Sequence, residues 1–240
     1  MLEISEEFIN IKISDIMRKF FYLFVLVAMS FLFVQCEQEG GIGVHKKHEF
    51  VDLGLSVKWA TCNVGAESSI DFGDYFAWGE TSVKDAYGWS TYKHCAGAKS
   101  TFTKYCSLES YGNEGFVDDR KELDAEDDVA MMNWKGKWRM PTRSEFAELR
   151  DNCTWEWFTL QGVKGYLVKS KKNGNTIFLP AAGFMSETNQ VDVGEKGLYW
   201  SNTLYLDAPF HAYVEEFDAE NEGSGNCGRI YGLPVRPVCP

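Results

Sequence analysis

The residues of this 240-residue chain with most chemistry in them are seven cysteines, four histidines and one dense run of acids. With Cys36 set aside, Cys62, Cys95, Cys106, Cys153, Cys227 and Cys239 remain. They include no CxxC and none of the paired short spacings that zinc sites use. An even number in an exported chain favours disulfides. Spacing points to Cys95 with Cys106 as a local loop clasp and to Cys227 with Cys239 as a second clasp. Other pairings and some buried free thiols stay open. His45 and His48 flank two lysines outside any helical context, a poor metal pair. His94 adjoins Cys95, but neighbours on a strand point to opposite faces, which disfavours a Cys–His couple. Asp118, Asp119, Glu122, Asp124, Glu126, Asp127 and Asp128 could offer oxygens to calcium. They lack the turn glycine of an EF-hand loop, and a solvated loop leading into a short helix through residues 130–132 explains them better. No GxSxG, HExxH or phosphate-cradling glycine loop is present, and no one carboxylate pair stands out for glycoside hydrolysis. The expectation is therefore no catalytic residue, no metal and no cofactor.

Cys36 belongs to a different pattern. Arg18 and Lys19 precede fifteen uncharged, largely apolar residues, 20–34, which end just before Cys36. A basic stretch followed by an apolar one is the layout of a secretory signal. As a helix the apolar stretch reaches about 23 Å, short of a bilayer core of roughly 30 Å. The segment Phe33-Val34-Gln35-Cys36 resembles a bacterial lipobox with bulkier residues than usual. The division expected is an upstream extension at 1–16, a lipoprotein signal peptide at 17–35, an acylated Cys36 opening a tether at 36–49, and one domain at 50–240. The membrane tie is then the lipid alone. Glu37 and Glu39 directly after Cys36 look like an acidic export signal to the outer cell face, so an outer-membrane, cell-surface location is expected, with the periplasmic face as the alternative.

Net charge is −11, and the only basic cluster of the mature part is Lys169, Lys171 and Lys172. That argues against nucleic acid as a partner. Aromatic residues make up 15% of the chain, including eight tryptophans, without helical heptads. This favours a β-rich, aromatic-cored domain.

Several elements are legible locally. Thr142 and Glu145 form a capping box that opens a helix at 143–152, with Phe146 and Leu149 on its buried face. Asn173-Gly174 between strand-like runs at 163–170 and 176–179 reads as a hairpin. Strands are expected at 57–61, 75–78, 198–201 and 211–217. Pro234 and Pro237 mark 233–238 as an edge or irregular segment. Residues 79–118 read as a long loop region, stapled by Cys95 and Cys106. Trp155 and Trp157 alternate and would share a strand face. Most tryptophans are assigned to the core, with Trp89 the best candidate for exposure. Arg139 and Arg236 are expected to bond carbonyls rather than ligand.

Six ordered blocks carry a further likeness: VDLGLSVKWATCNVGA (51–66), DYFAWGET (74–81), WKGKWRMPTRSEFAELRDNCTWEW (134–157), NGNTIFLPAAG (173–183), LYWSNT (198–203) and YGLPVRPV (231–238). Together they resemble the Fibrobacter succinogenes major paralogous domain family, abundant in Bacteroidetes lipoproteins. The resemblance implies an α+β, C-type-lectin-like fold of the formylglycine-generating-enzyme variant, with many short strands, one or two short helices and long loops. Some proteins of this fold are targets of diversity-generating retroelements, whose variable C-terminal segment displays a binding surface. Here that segment is 200–231, framed by 232–238. Within it Asn202, Tyr205, His211, Tyr213, Glu215, Asn221, Asn226, Arg229 and Tyr231 are the candidate ligand contacts, rich in the rigid Tyr and adaptable Asn that suit recognition loops. The ligand expected is a protein or a glycan. A structural or adhesive envelope component with a fixed protein partner is the alternative. An enzyme is the weaker one, because Cys227 and Cys239 are twelve apart and lack the copper-site pattern of the formylglycine-generating relatives. The EPN, QPD and WND triplets of calcium-dependent lectins are missing too.

Overall fold

A computed structural model of the chain describes residues 42–45 and 47–240. The extension at 1–16, the signal at 17–35 and Cys36 lie outside the described residues. The described part is of mixed type, with many short antiparallel strands in small sheets and two α-helices. No helix among the described residues is long and apolar enough to cross a membrane.

The first sheet runs β1 (Ile42–His45), β2 (His48–Val51), β3 (Lys58–Ala60) and β12 (Val238–Cys239), all antiparallel. Much of the segment expected as a tether is therefore built into the fold. One reason is His48, whose ring stacks on Trp134 at 3.8 Å with the planes 2° apart. The second sheet is the meander β4 (Cys153–Leu160), β5 (Val163–Ser170) and β6 (Thr176–Pro180), with the Asn-Gly turn where its sequence put it. Trp155 and Trp157 do share a face there, both packed against Tyr166 and Phe217. A small hairpin, β7 (Phe184–Ser186) with β8 (Asn189–Val191), precedes the third sheet. That sheet has the order β11–β10–β9, from β9 (Gly197–Leu204), β10 (His211–Phe217) and β11 (Glu222–Gly228).

Helix α1 (Val129–Trp134) starts at Asp128, whose Oδ1 accepts from the N–H groups of Ala130 and Met131 while Oδ2 accepts from Met140 N. Helix α2 (Arg143–Asn152) begins at the expected capping box and buries Phe146 and Leu149. Three aromatic-centred clusters hold the elements together. One surrounds Trp78, Trp138 and Trp200; a second surrounds Trp59, Phe146 and Tyr199; a third surrounds Tyr92 and Phe102. The third sheet lies between the first two, giving Ala212 and Val214 to one and Phe217 to the other.

One expected strand is absent as a strand, and the segment marked as edge or irregular is irregular. Residues 75–78 make single attachments instead, Phe76 N to Leu233 O and Trp78 N to Arg229 O. Residues 233–237 run through the interior rather than along an edge. The carbonyls of Pro234, Val235 and Pro237 accept from the N–H groups of Trp200, Val64 and Ala60 respectively. The prolines cost nothing there, because at positions 234 and 237 only the carbonyl is used.

The long region 79–118 holds three short 3-10 turns, at Trp89–Thr91, Glu109–Tyr111 and Asn113–Gly115, and no strand. Its last third is closed into a loop by Asp118, whose carboxylate accepts from Tyr105 N at 2.8 Å and Cys106 N at 3.0 Å. That bond pair fixes Tyr105 at φ 58°, an uncommon angle for a side-chain-bearing residue. Trp89 is half-buried and lies edge-on to Phe102 at 5.9 Å, so it is not the exposed tryptophan.

Candidate ligand-binding face

Strand β10 alternates. His211, Tyr213, Glu215 and Phe217 face one way, and Ala212, Val214 and Glu216 the other. The first of these faces grades from sealed to open. Phe217 is core, Glu215 is fully buried beneath α2, and Tyr213 and His211 are half-buried at the open end. Arg143 and Arg150 are seven apart on α2 and so share a helical face. Arg150 Nη1 pairs with Glu215 Oε2, and the Arg143 guanidinium lies over the Tyr213 ring at 4.0 Å.

Around Tyr213 the fold gathers four of the candidate contacts. Tyr205 meets the Tyr213 ring edge-on at 5.1 Å. Exposed Asn226 is its cross-strand partner on β11. His211 hydrogen-bonds Asn226, and burial holds its imidazole below the usual range despite that bond. Phe210 lies 4.4 Å from His211, under Lys99 Nζ at 3.5 Å. Arg143, Phe210 and Lys99 escaped sequence reasoning. Arg143 reads only as the residue after a helix cap, and its partner lies 70 positions later, beyond any local pattern.

The other five candidates are elsewhere. Arg229 is 0% exposed, and its guanidinium bonds Tyr92 Oη and the carbonyls of Tyr105, Pro209 and Lys104. With its donors so engaged it serves the interior, which corrects its assignment as a ligand contact. Glu215 is also 0% exposed, closed in beneath α2, which corrects its assignment as a ligand contact too. Asn202 is buried, with its main chain bonded to Pro141 and Leu123. Tyr231 is half-buried against Phe184 at 5.5 Å. Asn221 is exposed but sits at the β10–β11 turn, where it lines a separate groove of ≈ 320 Å³ together with Asp192, Glu216, Asp218 and Glu222 over Phe184 and Leu198. The segment 200–231 is thus mostly sheet, with one half-open face rather than a set of display loops.

All six cysteines of the described part are free thiols. Neither Cys95–Cys106 nor Cys227–Cys239 is joined in this structure. Cys95 and Cys106 pack in the third cluster with their Sγ atoms on the carbonyls of Trp89 and Leu108. Burial pushes the Cys227 thiol up to about 12 and raises Cys239 too. Such thiols are poor nucleophiles at neutral pH. Arg236 does bond carbonyls, those of Ala60, Thr61 and Phe178, along with Asn63 Oδ1. Arg139 bonds the Met140 carbonyl but spends more of its fork on Glu145.

Of the acid run, Asp124, Glu126 and Asp127 converge closely enough to hold an ion. The cation they surround is Lys104, with Nζ 2.7 Å from Asp124, 3.2 Å from Glu126 and 2.7 Å from Asp127.

Comparison with known proteins gives one partial likeness. A family model described as a domain of unknown function, DUF8237, matches residues 164–238, which include the third sheet and the groove. No curated protein and no solved structure matches the chain.

Proposed function

We propose that this chain is a non-catalytic lipoprotein of the outer membrane, exposed at the cell surface, that binds a protein or glycan through the open end of the β9–β10–β11 sheet. The observation that carries the reading is the cluster of Tyr205, His211, Tyr213 and Asn226 with Arg143 stacked on Tyr213. Aromatic rings, a guanidinium and an amide at a half-open site offer stacking and directional hydrogen bonds at low entropic cost. The basic and apolar segment ahead of Cys36 supports lipid anchoring. The six blocks that resemble the major paralogous domain family support a lectin-like fold of the formylglycine-generating-enzyme variant.

The test is a binding screen of the full chain in mild detergent against glycan and surface-protein arrays, repeated with Tyr213→Ala and Arg143→Ala. Loss of the captured ligand in both variants, with unfolding midpoints close to wild type, is the expected result. Undiminished capture by both would move the site elsewhere. Metabolic labelling with a tritiated fatty acid, lost in Cys36→Ser, checks the anchor.

A further inference from the structure

The two edges of the third sheet are treated differently. The outer edge of β9 is covered. Trp200 N, Asn202 N and Leu204 N donate to Pro234, Pro141 and Lys121 carbonyls at 3.3, 2.8 and 2.8 Å. The outer edge of β11 is not. Its seven residues pair with β10 in unbroken register, and among the described residues the backbone of 223–227 bonds to no other element. The strand carries no proline, no lysine and no bulge, the usual devices that keep an edge from pairing.

Beside this edge lies the groove, where four acids, Asp192, Glu216, Asp218 and Glu222, face a single lysine, Lys196, itself paired with Asp192 at 3.4 Å. It sits on the face of β10 that bears Glu216, at the end where β11 begins. Two glycines shape the approach. A Cβ at Gly223 would meet nothing within 4 Å, so that stretch of the face is open. A Cβ at Gly225 would collide with the Glu216 carboxylate, so glycine is what lets Glu216 lie across β11 toward the free edge. Glu222 and Asp218 stand at the same end.

We propose that β11 accepts an extended basic peptide as a fourth strand, with a lysine or arginine of that peptide reaching over Gly223 into the groove. An added strand lies about 4.8 Å from β11, within reach of a long cationic side chain aimed at Glu216. Alternate side chains of the peptide would fall on the opposite face, beside Asn226 and Tyr213. Main-chain bonds supply the affinity and the groove supplies the choice of charge. The partner class rests on the reading of this sheet as the ligand-bearing element, and it commits that reading to protein.

The test uses the full chain in detergent and two acetylated, amidated peptides, Lys-Val-Lys-Val-Lys-Val-Lys and its glutamate counterpart, with amide hydrogen exchange as readout. The lysine peptide is expected to slow exchange of residues 222–228 by about tenfold or more, and the glutamate peptide to leave them unchanged. Glu216→Gln combined with Glu222→Gln should abolish the difference between the peptides without altering exchange in the free protein. Equal protection by both peptides, protection of β4, the edge strand of the second sheet, to the same degree, or no protection of β11 would each overturn the proposal. Protection of β11 with Tyr213→Ala and Arg143→Ala silent in every binding screen would leave the edge site standing and remove the Tyr213 face. Screens abolished by those variants with β11 never protected would do the reverse.

Discussion

Arg229 Nε donates to the Tyr92 hydroxyl at 2.9 Å, joining residues 137 positions apart inside an interior with no exposure at the guanidinium. The same guanidinium lies 4.4 Å from the Phe102 ring centre and 4.8 Å from that of Trp78. A loop of forty residues with no strand of its own is thereby fastened to the turn after β11. Arg229→Ala removes a buried cation and strands several acceptors, so a loss of about 3 kcal/mol or more is expected. Arg229→Lys should recover only part of it, since an ammonium cannot copy the planar fork. Urea unfolding checks both, and hydrogen exchange should show residues 92–118 loosening first.

Asp127 is 1% exposed and accepts from Lys93 and Lys104 at 2.7 Å and from Tyr105 Oη at 2.8 Å. Burial raises its pKa, but the two lysines and the tyrosine outweigh it and hold the carboxyl at about 2. A folded pKa below the unfolded one means that the stabilisation is full above the ordinary carboxylate value. It is then lost as pH falls through the folded value. The wild type should shed roughly 2 kcal/mol between about pH 4 and pH 2 that Asp127→Asn lacks. Thermal melts of the two across that range test the sign.

Because Lys104 sits among Asp124, Glu126 and Asp127, added calcium or a chelator should leave the wild-type melting midpoint unchanged. Lys104→Ala uncovers three neighbouring carboxylates and should lower the midpoint at low ionic strength, with partial recovery on adding calcium. A calcium response in the wild type would contradict the assignment.

Glu215 behaves oppositely. Burial pushes its carboxyl up to about 8, against the pull of Arg150 and its charge. Oε1 has no hydrogen-bond partner among the described residues. Folding takes up a proton between the unfolded and folded values, so this group's contribution declines as pH climbs from about 4.5 to 8. Glu215→Gln should therefore gain on the wild type over that interval, by up to about 5 kcal/mol. Parallel curves for the two proteins would refute the assignment.

The thiols offer a direct check of connectivity. Alkylation of denatured, unreduced protein followed by mass spectrometry should find Cys62, Cys95, Cys106, Cys153, Cys227 and Cys239 all modified. In the native state Cys153 and Cys227 should react slowest, since burial lifts their thiols to about 11 and about 12.

What could be read in advance was local. The capping box of Thr142 and Glu145, the Asn173-Gly174 turn and the alternation of 211–217 each satisfy their backbone within a few residues, and each element formed where its signal stood. The misplaced assignments share a different property. Residues 75–78 have strand composition, but beyond one bridge between Phe76 and Leu233 their backbone bonds go singly to distant segments, and such attachments have no period. Arg229 looked like a surface contact because its carbonyl partners come from residues 104, 105 and 209. Glu215 sits in an open-looking alternation that α2 closes from above. Tyr213 and Asn226 were legible as residue types, whereas their company with Arg143 required the tertiary packing of α2 on the sheet.

The interior path of 229–239 also has a consequence in time. Arg229 fastens the 92–118 loop, Leu233 and Pro234 anchor Phe76 and Trp200, and Val238 closes β3 while exchanging backbone bonds with Arg139. Every one of these partners is synthesised earlier than the residue that secures it. A nascent chain that has reached β10 therefore has its tryptophans and the bonds of Trp78 and Trp200 to Ser201 and Phe76, but not the backbone and guanidinium ties that only its last dozen residues supply. For the exported protein proposed above, such late closure would keep the earlier segments pliable during passage.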